Sequence, residues 1–298
     1  MFRVNMPEKI FPSRAVKEIK KKIAQLEPGS ILLILGEVGI GKTIATIDAL
    51  GEYETEGHNI IYCRQPDKEN LKIGVILNAL IRHFGESPRK DIDARTEQLR
   101  RLLGRSWETG KKTYLVIDEA HALHHSTLRA LKRLLELPFA RQIGLLSIIL
   151  ISQPEIYEKI NNLEEIQLRT EILPMKPLTV EESKEFIQFV ASWSKFKITP
   201  DVVDYLSARM DNPLRIVVAL DRIYDFARRI GEPITISKLK QYIILPIRKK
   251  LQDEGISIRE VAERTGYSPT TISQVLQGKY QGDVKKVIES VEKVLQEA

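Results

Sequence analysis

Eight consecutive residues, Gly36 to Thr43, combine three glycines with a lysine and a hydroxyl side chain. Glycines allow the backbone to wrap closely around an anion, so that its N–H groups point inward. The order of glycine, four residues, glycine, lysine and threonine is the pattern of a phosphate-binding loop. The residues expected to contact a nucleotide are Gly36, Glu37, Val38, Gly39, Ile40, Gly41, Lys42 and Thr43.

Two side chains of this loop have distinct expected roles. Lys42 should reach the β- and γ-phosphates of ATP, and Thr43 should ligate Mg²⁺ through its hydroxyl. The apolar run Ile31 to Leu35 precedes the loop, and a helical pattern follows it. That helix would direct its positive dipole end towards the phosphates.

A second apolar run, Tyr114 to Ile117, ends directly in two acids, Asp118 and Glu119. Ligands of parallel sheets bind beyond the carboxyl ends of the strands, so both acids should lie beside the phosphates. We expect Asp118 to hold Mg²⁺ and Glu119 to act as the general base on the attacking water. Without the loop, the same acids would equally suit the start of a solvated helix.

Short apolar runs alternate with helical patterns through the first part of the chain. The alternation predicts an α/β domain with a parallel sheet and helices on both faces. After Pro174 the pattern becomes helical only. We predict an α/β nucleotide-binding core over 1–174, a helical lid over 175–245 and a small all-α helix-turn-helix domain over 246–298. The predicted strands are 31–35, 59–63, 113–117, 147–151 and 166–173.

Composition indicates a soluble globular protein, because 43% of the 298 residues are hydrophobic and 29% are charged. No apolar run approaches the roughly 20 residues that a membrane span needs, and the N-terminal residues lack the hydrophobic centre of a signal peptide. The single cysteine, Cys63, cannot form an internal disulfide. We therefore expect a cytoplasmic protein without a membrane partner, and the net charge of +6 favours anionic partners.

The segment Ser257 to Gly278 has the pattern of two short helices joined by a turn. Ala262 is small where the helices would pack closely, Gly266 permits the turn, and Ile272 would fill the shared core. Ser268 would cap the second helix. This pattern predicts a DNA-binding helix-turn-helix, and a helical hairpin for protein contacts is the alternative. The expected DNA-facing residues are Thr270, Thr271, Ser273, Gln274, Gln277 and Lys279.

A basic segment between residues 88 and 112 is a second candidate for contact with DNA. Several of its side chains lie one helical turn apart, so they could track phosphates inside a ring or filament. A solvated helix face is an equally good interpretation. The basic residues are Arg89, Lys90, Arg95, Arg100, Arg101, Arg105, Lys111 and Lys112.

Three histidines, His121, His124 and His125, follow the acidic pair. Their spacing could hold a metal ion, but no suitable further carboxylate accompanies them. We expect exposed helix positions for all three and no metal other than Mg²⁺.

The loop, the sequence IDEAH over 117–121 and the later helical signals resemble the AAA+ ATPases. The resemblance implies three further roles. Gln153 matches the polar residue that senses the γ-phosphate, and Arg215 resembles the lid arginine that contacts the nucleotide. Arg169 is placed like an arginine finger that acts in a neighbouring subunit, and a surface salt bridge is its alternative.

Two groups of AAA+ ATPases are similar to different segments of the chain. Transposition ATPases of the phage Mu B type have a helix-turn-helix similar to residues 271–283, although at the opposite end of the chain. Secretion-associated ATPases share the sequences of 36–43 and 151–155, but they carry a membrane span and an envelope-binding region that we do not expect here.

The resemblance to the transposition ATPases implies an ATPase that uses ATP and Mg²⁺ and oligomerises on duplex DNA as a ring or helical filament. Its further partner would be a transposase. A secretion-type ATPase and a nucleotide-switched DNA-binding regulator are the alternatives.

Overall fold

The computed structural model describes residues 10–63, 71–193, 197–230, 235, 236, 239, 247, 251, 252, 254–277, 280 and 282–296; for 226–230, 284, 285, 292 and 296 it gives the backbone alone. These residues divide into two compact units. The sheet unit contains the described residues up to 178 together with 212–214. The helical unit contains 179–211 and the described residues from 215 onward.

Five parallel strands form the sheet, in the spatial order β2-β3-β6-β1-β7. A two-stranded antiparallel hairpin, β4 with β5, precedes β6 in the chain. The strands are β1 (Ile31–Leu35), β2 (Asn59–Cys63), β3 (Thr113–Ile117), β4 (Pro138–Phe139), β5 (Gln142–Ile143), β6 (Ser147–Ser152) and β7 (Thr170–Pro174).

Helices cover both faces of this sheet. Each strand packs against both helical layers, because successive residues of a strand point to opposite faces. In β1, Leu33 packs in the apolar layer of α3, α4 and α5, whereas Leu32 and Ile34 pack against α1 and α2. The prediction of a parallel sheet with helices on both faces is confirmed. The helices of this unit are α1 (Arg14–Ala24), α2 (Lys42–Thr55), α3 (Ile73–His83), α4 (Ile92–Glu108), α5 (His125–Leu135), α6 (Ile156–Asn161) and α7 (Glu164–Gln167), with a 3₁₀ turn at Ala120–Ala122.

The fifth strand begins later than predicted. Residues Glu164–Gln167 form α7, and β7 starts at Thr170 instead of Ile166. Ile166 lies in this helical turn, where its N–H donates to the carbonyl of Leu163, and its side chain is fully buried. An apolar residue can fill the core from a helix as well as from a strand, so the short apolar run could not fix the boundary.

Six helices of the helical unit have both ends within the described residues, and the first begins with a capping box. Thr179 Oγ1 accepts from the N–H of Glu182, and the Glu182 carboxylate accepts from the N–H of Thr179. The last three helices share an apolar core that includes Val261 and Ile272. The helices are α8 (Val180–Trp193), α9 (Pro200–Ser207), α10 (Pro213–Ile230), α11 (Ile258–Thr265), α12 (Pro269–Leu276) and α13 (Val284–Gln296).

None of the helices in the described ranges combines the length and the apolar character needed to cross a membrane. The predicted domain limits at 174/175 and 245/246 stay a prediction, and residues 245 and 246 lie outside the described residues.

Two helical glycines give a matched test of the packing beside the hairpin. A Cβ on Gly104 of α4 would overlap the Phe139 ring, whereas a Cβ on Gly51 of α2 would meet nothing within 4 Å. Gly51→Ala should raise the free energy of unfolding by about 0.5–1 kcal/mol, because alanine favours the helix. Gly104→Ala should lower it by about 1–3 kcal/mol, because the ring must move. Thermal unfolding of both variants measures the difference, and equal stabilisation by the two changes would contradict the packing described here.

Candidate active site

The glycine-rich loop occupies the turn between β1 and α2. Gly39 and Gly41 have φ values of 80° and 95°, in the left-handed region that favours glycine. Gly41 is the N-cap residue of α2, and it provides no side-chain hydrogen bond to the first turn. The first N–H groups of α2 therefore face the loop, in an arrangement that suits an anion.

Lys42 lies beneath this loop and is only 8% exposed. Its ammonium donates to the carbonyl oxygens of Gly36 at 2.7 Å and Glu37 at 2.8 Å. Burial lowers the pKa of Lys42, and the carboxylates of Glu119 and Asp118 partly oppose that shift. A bound phosphate would add negative charge beside this buried ammonium and stabilise its charged form.

The acids after β3 lie beside the loop because of the sheet register. Ile117 is level with Leu150 of β6, and Leu150 is level with Leu33 of β1. Asp118 therefore follows its strand near the carboxyl end of β1. The Thr43 hydroxyl donates to Asp118 Oδ2 at 2.9 Å, across a separation of 75 residues.

The contacting oxygens of Thr43 and Asp118 fit a Mg²⁺ site. Mg²⁺ takes oxygen ligands and usually keeps several waters and substrate phosphates beside one or two protein groups. Among the described residues, no group of three or more His, Cys, Asp or Glu side chains could hold a metal ion. Phosphate and water would thus have to complete the coordination of a cation here.

Glu119 has a left-handed backbone conformation, with φ 56° and ψ 41°. Such a conformation costs a non-glycine residue about 1–2 kcal/mol, and strained residues of this kind cluster at functional sites. Its N–H donates to Asp118 Oδ1 at 2.8 Å, so the strained turn also orients the neighbouring acid. Glu119 Oε2 lies 3.3 Å from His121 Nδ1.

His121 does not occupy the exposed helix position that we expected. It lies in the 3₁₀ turn Ala120–Ala122, and its side chain is 26% exposed. Its Nε2 atom lies 3.4 Å from Nε2 of Gln153, the residue that follows β6. The structure therefore brings Gln153 to the acidic pair through a histidine whose contacts the sequence did not predict. His124 and His125 are exposed, as expected.

Arg169 lies away from the loop of its own chain. Its carbonyl accepts from the N–H of Ile31 at 2.8 Å, at the amino end of β1, whereas the loop follows the carboxyl end. The Arg169 guanidinium pairs with Glu136 at 2.9 Å. Arg169 thus forms the surface salt bridge that was the alternative interpretation. Its role as an arginine finger in a neighbouring subunit stays a prediction.

Residues at the start of α10 hold the loop in a way that the sequence did not reveal. The Asn212 amide donates to the carbonyl of Val38 at 2.9 Å, and the Leu214 N–H donates to that of Gly39 at 3.1 Å. Asn212 could be recognised from the sequence only as a helix cap, and its carbonyl does accept from Leu214 N. Arg215 belongs to the helical unit, and its contact with a nucleotide stays a prediction.

The predicted helix-turn-helix forms over α11 and α12. Ser268 caps α12 by accepting from the N–H of Thr271 at 3.0 Å. Thr270 and Gln274 of α12 and its C-cap residue Gln277 are exposed, whereas Thr271 and Ser273 are half-buried. Lys279 lies outside the described residues.

The basic segment is partly neutralised by its own neighbours. Arg100 pairs with Glu97 at 2.5 Å and Arg101 with Glu86 at 3.1 Å. The hydrogen bond from Arg100 lowers the pKa of Glu97. These ion pairs favour a solvated face for Arg100 and Arg101. The exposed basic residues that remain in the segment include Arg89, Lys90 and Arg105.

Comparisons with known families agree with both parts of the chain. Residues 25–160 match the family model described as an AAA domain. Residues 247–288 match the model described as a helix-turn-helix. No curated protein matches the chain. A segment similar to an AAA domain is thus followed by one similar to a helix-turn-helix, in the order that the sequence predicted.

Solved structures share the fold along nearly the whole chain. The ADP form of the ORC2 protein of Aeropyrum pernix has 15% identity and a TM-score of 0.60, covering 99% of this chain and 97% of that one. Cdc6p of Pyrobaculum aerophilum has 15% identity and a TM-score of 0.58, with the same coverage. The Aeropyrum pernix ORC1 protein in complex with DNA has 15% identity and a TM-score of 0.57, covering 98% of this chain and 80% of that one. Together with the AAA-domain match of residues 25–160, these similarities confirm the predicted fold class.

The contact of Asn212 with the loop can be tested without any ligand. Asn212 is 6% exposed, so Asn212→Ala should lower the free energy of unfolding by about 1–3 kcal/mol. Asn162→Ala removes an exposed amide and should change it by less than about 0.5 kcal/mol. Urea unfolding of both variants compares them, and equal stabilities would show that the Asn212 contact does not stabilise the loop.

Proposed function

We propose that this chain is a cytoplasmic ATPase that binds ATP with Mg²⁺ and couples its hydrolysis to assembly on duplex DNA. The observation that carries the proposal is the contact of Thr43 with Asp118 beside the open N-terminus of α2. It joins a hydroxyl and a carboxylate, the two protein groups that a nucleotide-bound Mg²⁺ uses, at the point where the buried Lys42 lies.

The residues of the site divide the work of hydrolysis. The loop N–H groups and Lys42 would hold the β- and γ-phosphates, and Thr43 and Asp118 would hold the metal ion. When bound, Mg²⁺ would supply positive charge against the phosphate oxygens. Glu119 orients the attacking water and takes its proton, while Gln153 contacts the γ-phosphate. The water oxygen forms the new bond to phosphorus, and ADP leaves with the bridging oxygen.

Two arginines would complete the site. Arg215 would contact the bound nucleotide, and Arg169 would enter the site of a neighbouring subunit in a ring or helical filament. Such a finger raises the rate by about 10³ to 10⁵ in other nucleotide hydrolases. Arg169 must exchange Glu136 for the neighbour's phosphate, so hydrolysis would depend on assembly.

The DNA-binding part of the proposal rests on the helix-turn-helix. The exposed side chains of α12 and its C-cap include Thr270, Gln274 and Gln277, which are uncharged and suited to base edges. Phosphate contacts would then come from basic residues elsewhere, such as Arg89, Lys90 and Arg105. A similar solved structure, that of the Aeropyrum pernix ORC1 protein, contains DNA, which supports this role.

We propose a transposase as the further partner, on the similarity of residues 271–283 to the transposition ATPases of the phage Mu B type. A nucleotide-switched DNA-binding regulator with little hydrolysis is the second candidate. It is favoured by the exposed helix-turn-helix, and it is opposed by Glu119, which a regulator that only binds ATP would not need.

Changes at Lys42 and Glu119 should separate binding from hydrolysis. Lys42→Ala should abolish ATP uptake in calorimetry, because no other buried cation is described beneath the loop. Glu119→Gln should still bind ATP but release phosphate about 10²- to 10⁴-fold more slowly, since the general base is lost. Glu108→Gln, an exposed acid on α4, is the control and should match the wild type. Normal phosphate release by Glu119→Gln would refute its role as base, whereas little phosphate release by the wild type itself would favour the regulator.

Two sets of substitutions should distinguish base contacts from phosphate contacts. Replacing Thr270, Gln274 and Gln277 by alanine should reduce preference among duplex sequences with an unchanged salt dependence. Replacing Arg89, Lys90 and Arg105 should weaken binding to all duplexes and reduce the slope of log K against log salt by about 0.9 for each lost phosphate contact.

The double variant Arg100→Ala, Arg101→Ala is the matched control, because both guanidiniums already pair with Glu97 and Glu86. Fluorescence anisotropy with duplexes of different sequence, at several salt concentrations, measures all three proteins. Unchanged sequence preference in the first variant, together with unchanged affinity and salt slope in the second, would reject these DNA surfaces.

A further inference from the structure

We propose that His121 is a positioning residue that holds the carboxylate of Glu119 and links it to Gln153. The inference rests on the proposed function, in which Glu119 acts on the attacking water. In this role His121 contacts neither the nucleotide nor the metal ion.

The imidazole of His121 spans the ends of two strands. Its Nδ1 atom lies 3.3 Å from Glu119 Oε2, after β3, and its Nε2 atom lies 3.4 Å from Gln153 Nε2, after β6. β3 and β6 are neighbours in the sheet. One side chain therefore joins the proposed general base to the proposed γ-phosphate sensor.

The neighbours of the ring determine where its proton lies. An amide nitrogen donates and does not accept, so Gln153 requires His121 Nε2 to be an acceptor. The proton of the neutral ring is then on Nδ1, which faces Glu119. Nδ1 is buried and has no aligned hydrogen bond among the described residues, although the carboxylate is within reach. A small rotation of Glu119, whose side chain is 51% exposed, would align this bond.

The turn that carries His121 is fixed more firmly than the acid it faces. The Lys159 ammonium of α6 donates to the carbonyl oxygens of His121 at 2.5 Å and Leu123 at 3.1 Å. Ala120, the neighbouring residue, is fully buried. The backbone that carries the imidazole is thus fixed, while the Glu119 side chain is half exposed and can rotate. If the Gln153 side chain moves when it binds the γ-phosphate, the imidazole ring would transmit that movement to Glu119.

Substitutions of His121 can distinguish the role of Nδ1 from that of Nε2. Asparagine places an amide near the position of Nδ1, and glutamine places one near Nε2. His121→Ala and His121→Gln should lower kcat roughly 10-fold or more, with unchanged ATP affinity, as other orienting partners do. His121→Asn keeps a donor towards Glu119 and should retain most of the activity. His125→Ala, an exposed histidine of α5, is the matched control.

A double variant tests positioning against a merely structural effect. In a Glu119→Gln background, His121→Ala should cause no further loss of kcat, because no carboxylate remains to be held. An additional loss as large as that in the wild-type background would overturn the proposal. Activity in His121→Gln together with loss in His121→Asn would also overturn it.

Nuclear magnetic resonance of protein labelled with ¹⁵N-histidine tests the contact without nucleotide. We expect the tautomer with the proton on Nδ1, and a shift of the His121 signal in Glu119→Gln. A proton on Nε2 alone, or a His121 signal that Glu119→Gln leaves unchanged, would overturn the contact. Absence of turnover in the wild type would count against the proposed function, whereas this spectrum would still decide the role of His121.

Discussion

The hydrogen bond between the Thr43 hydroxyl and the Asp118 carboxylate is the interaction on which the candidate site depends. It joins the first turn of α2 to the end of β3, although β6 lies between β1 and β3 in the sheet. A shift of one residue in either parallel register would move the acid along its strand by about 3.3 Å and break the contact. The register of the parallel strands therefore determines the distance between Thr43 and Asp118.

Several local features of the site are unfavourable by themselves and are stabilised by the sheet. Burial works against the charge of Lys42, and Glu119 adopts a left-handed backbone. The first turn of α2 lacks a side-chain cap. β1, β3 and β6 are buried on both faces, and their two apolar layers fix the backbone that carries these groups. Such costs are typical of sites that are prepared in advance for a ligand.

Charge is distributed differently on the two candidate DNA surfaces. The basic residues of α4 lie close to acids, and Glu97 and Glu86 neutralise two of the arginines. The exposed side chains on α12 that we expect to face DNA are polar and uncharged. The basic surface near α4 suits attraction to the phosphate backbone of any DNA, whereas the uncharged surface of α12 suits discrimination among bases. Affinity and specificity would then reside in different segments of the chain.

The sequence by itself determined the elements whose signals are local. The glycine-rich loop, the strands β1, β2 and β3 and the cap at Ser268 follow from patterns within about ten residues of the chain, and all of them lie where they were predicted. Ile166 shows the limit of such patterns, because its burial in a helical turn resembles that of a strand residue.

Tertiary structure alone decided the contacts between distant segments. Asn212 reaches Val38 across 174 residues, Gln153 meets His121 across 32, and Arg169 pairs with Glu136 across 33. Residue type shows that each side chain can form a hydrogen bond, but it does not show with which partner. Partners are chosen by strand order and helix packing, which depend on burial throughout the domain and which no single segment encodes.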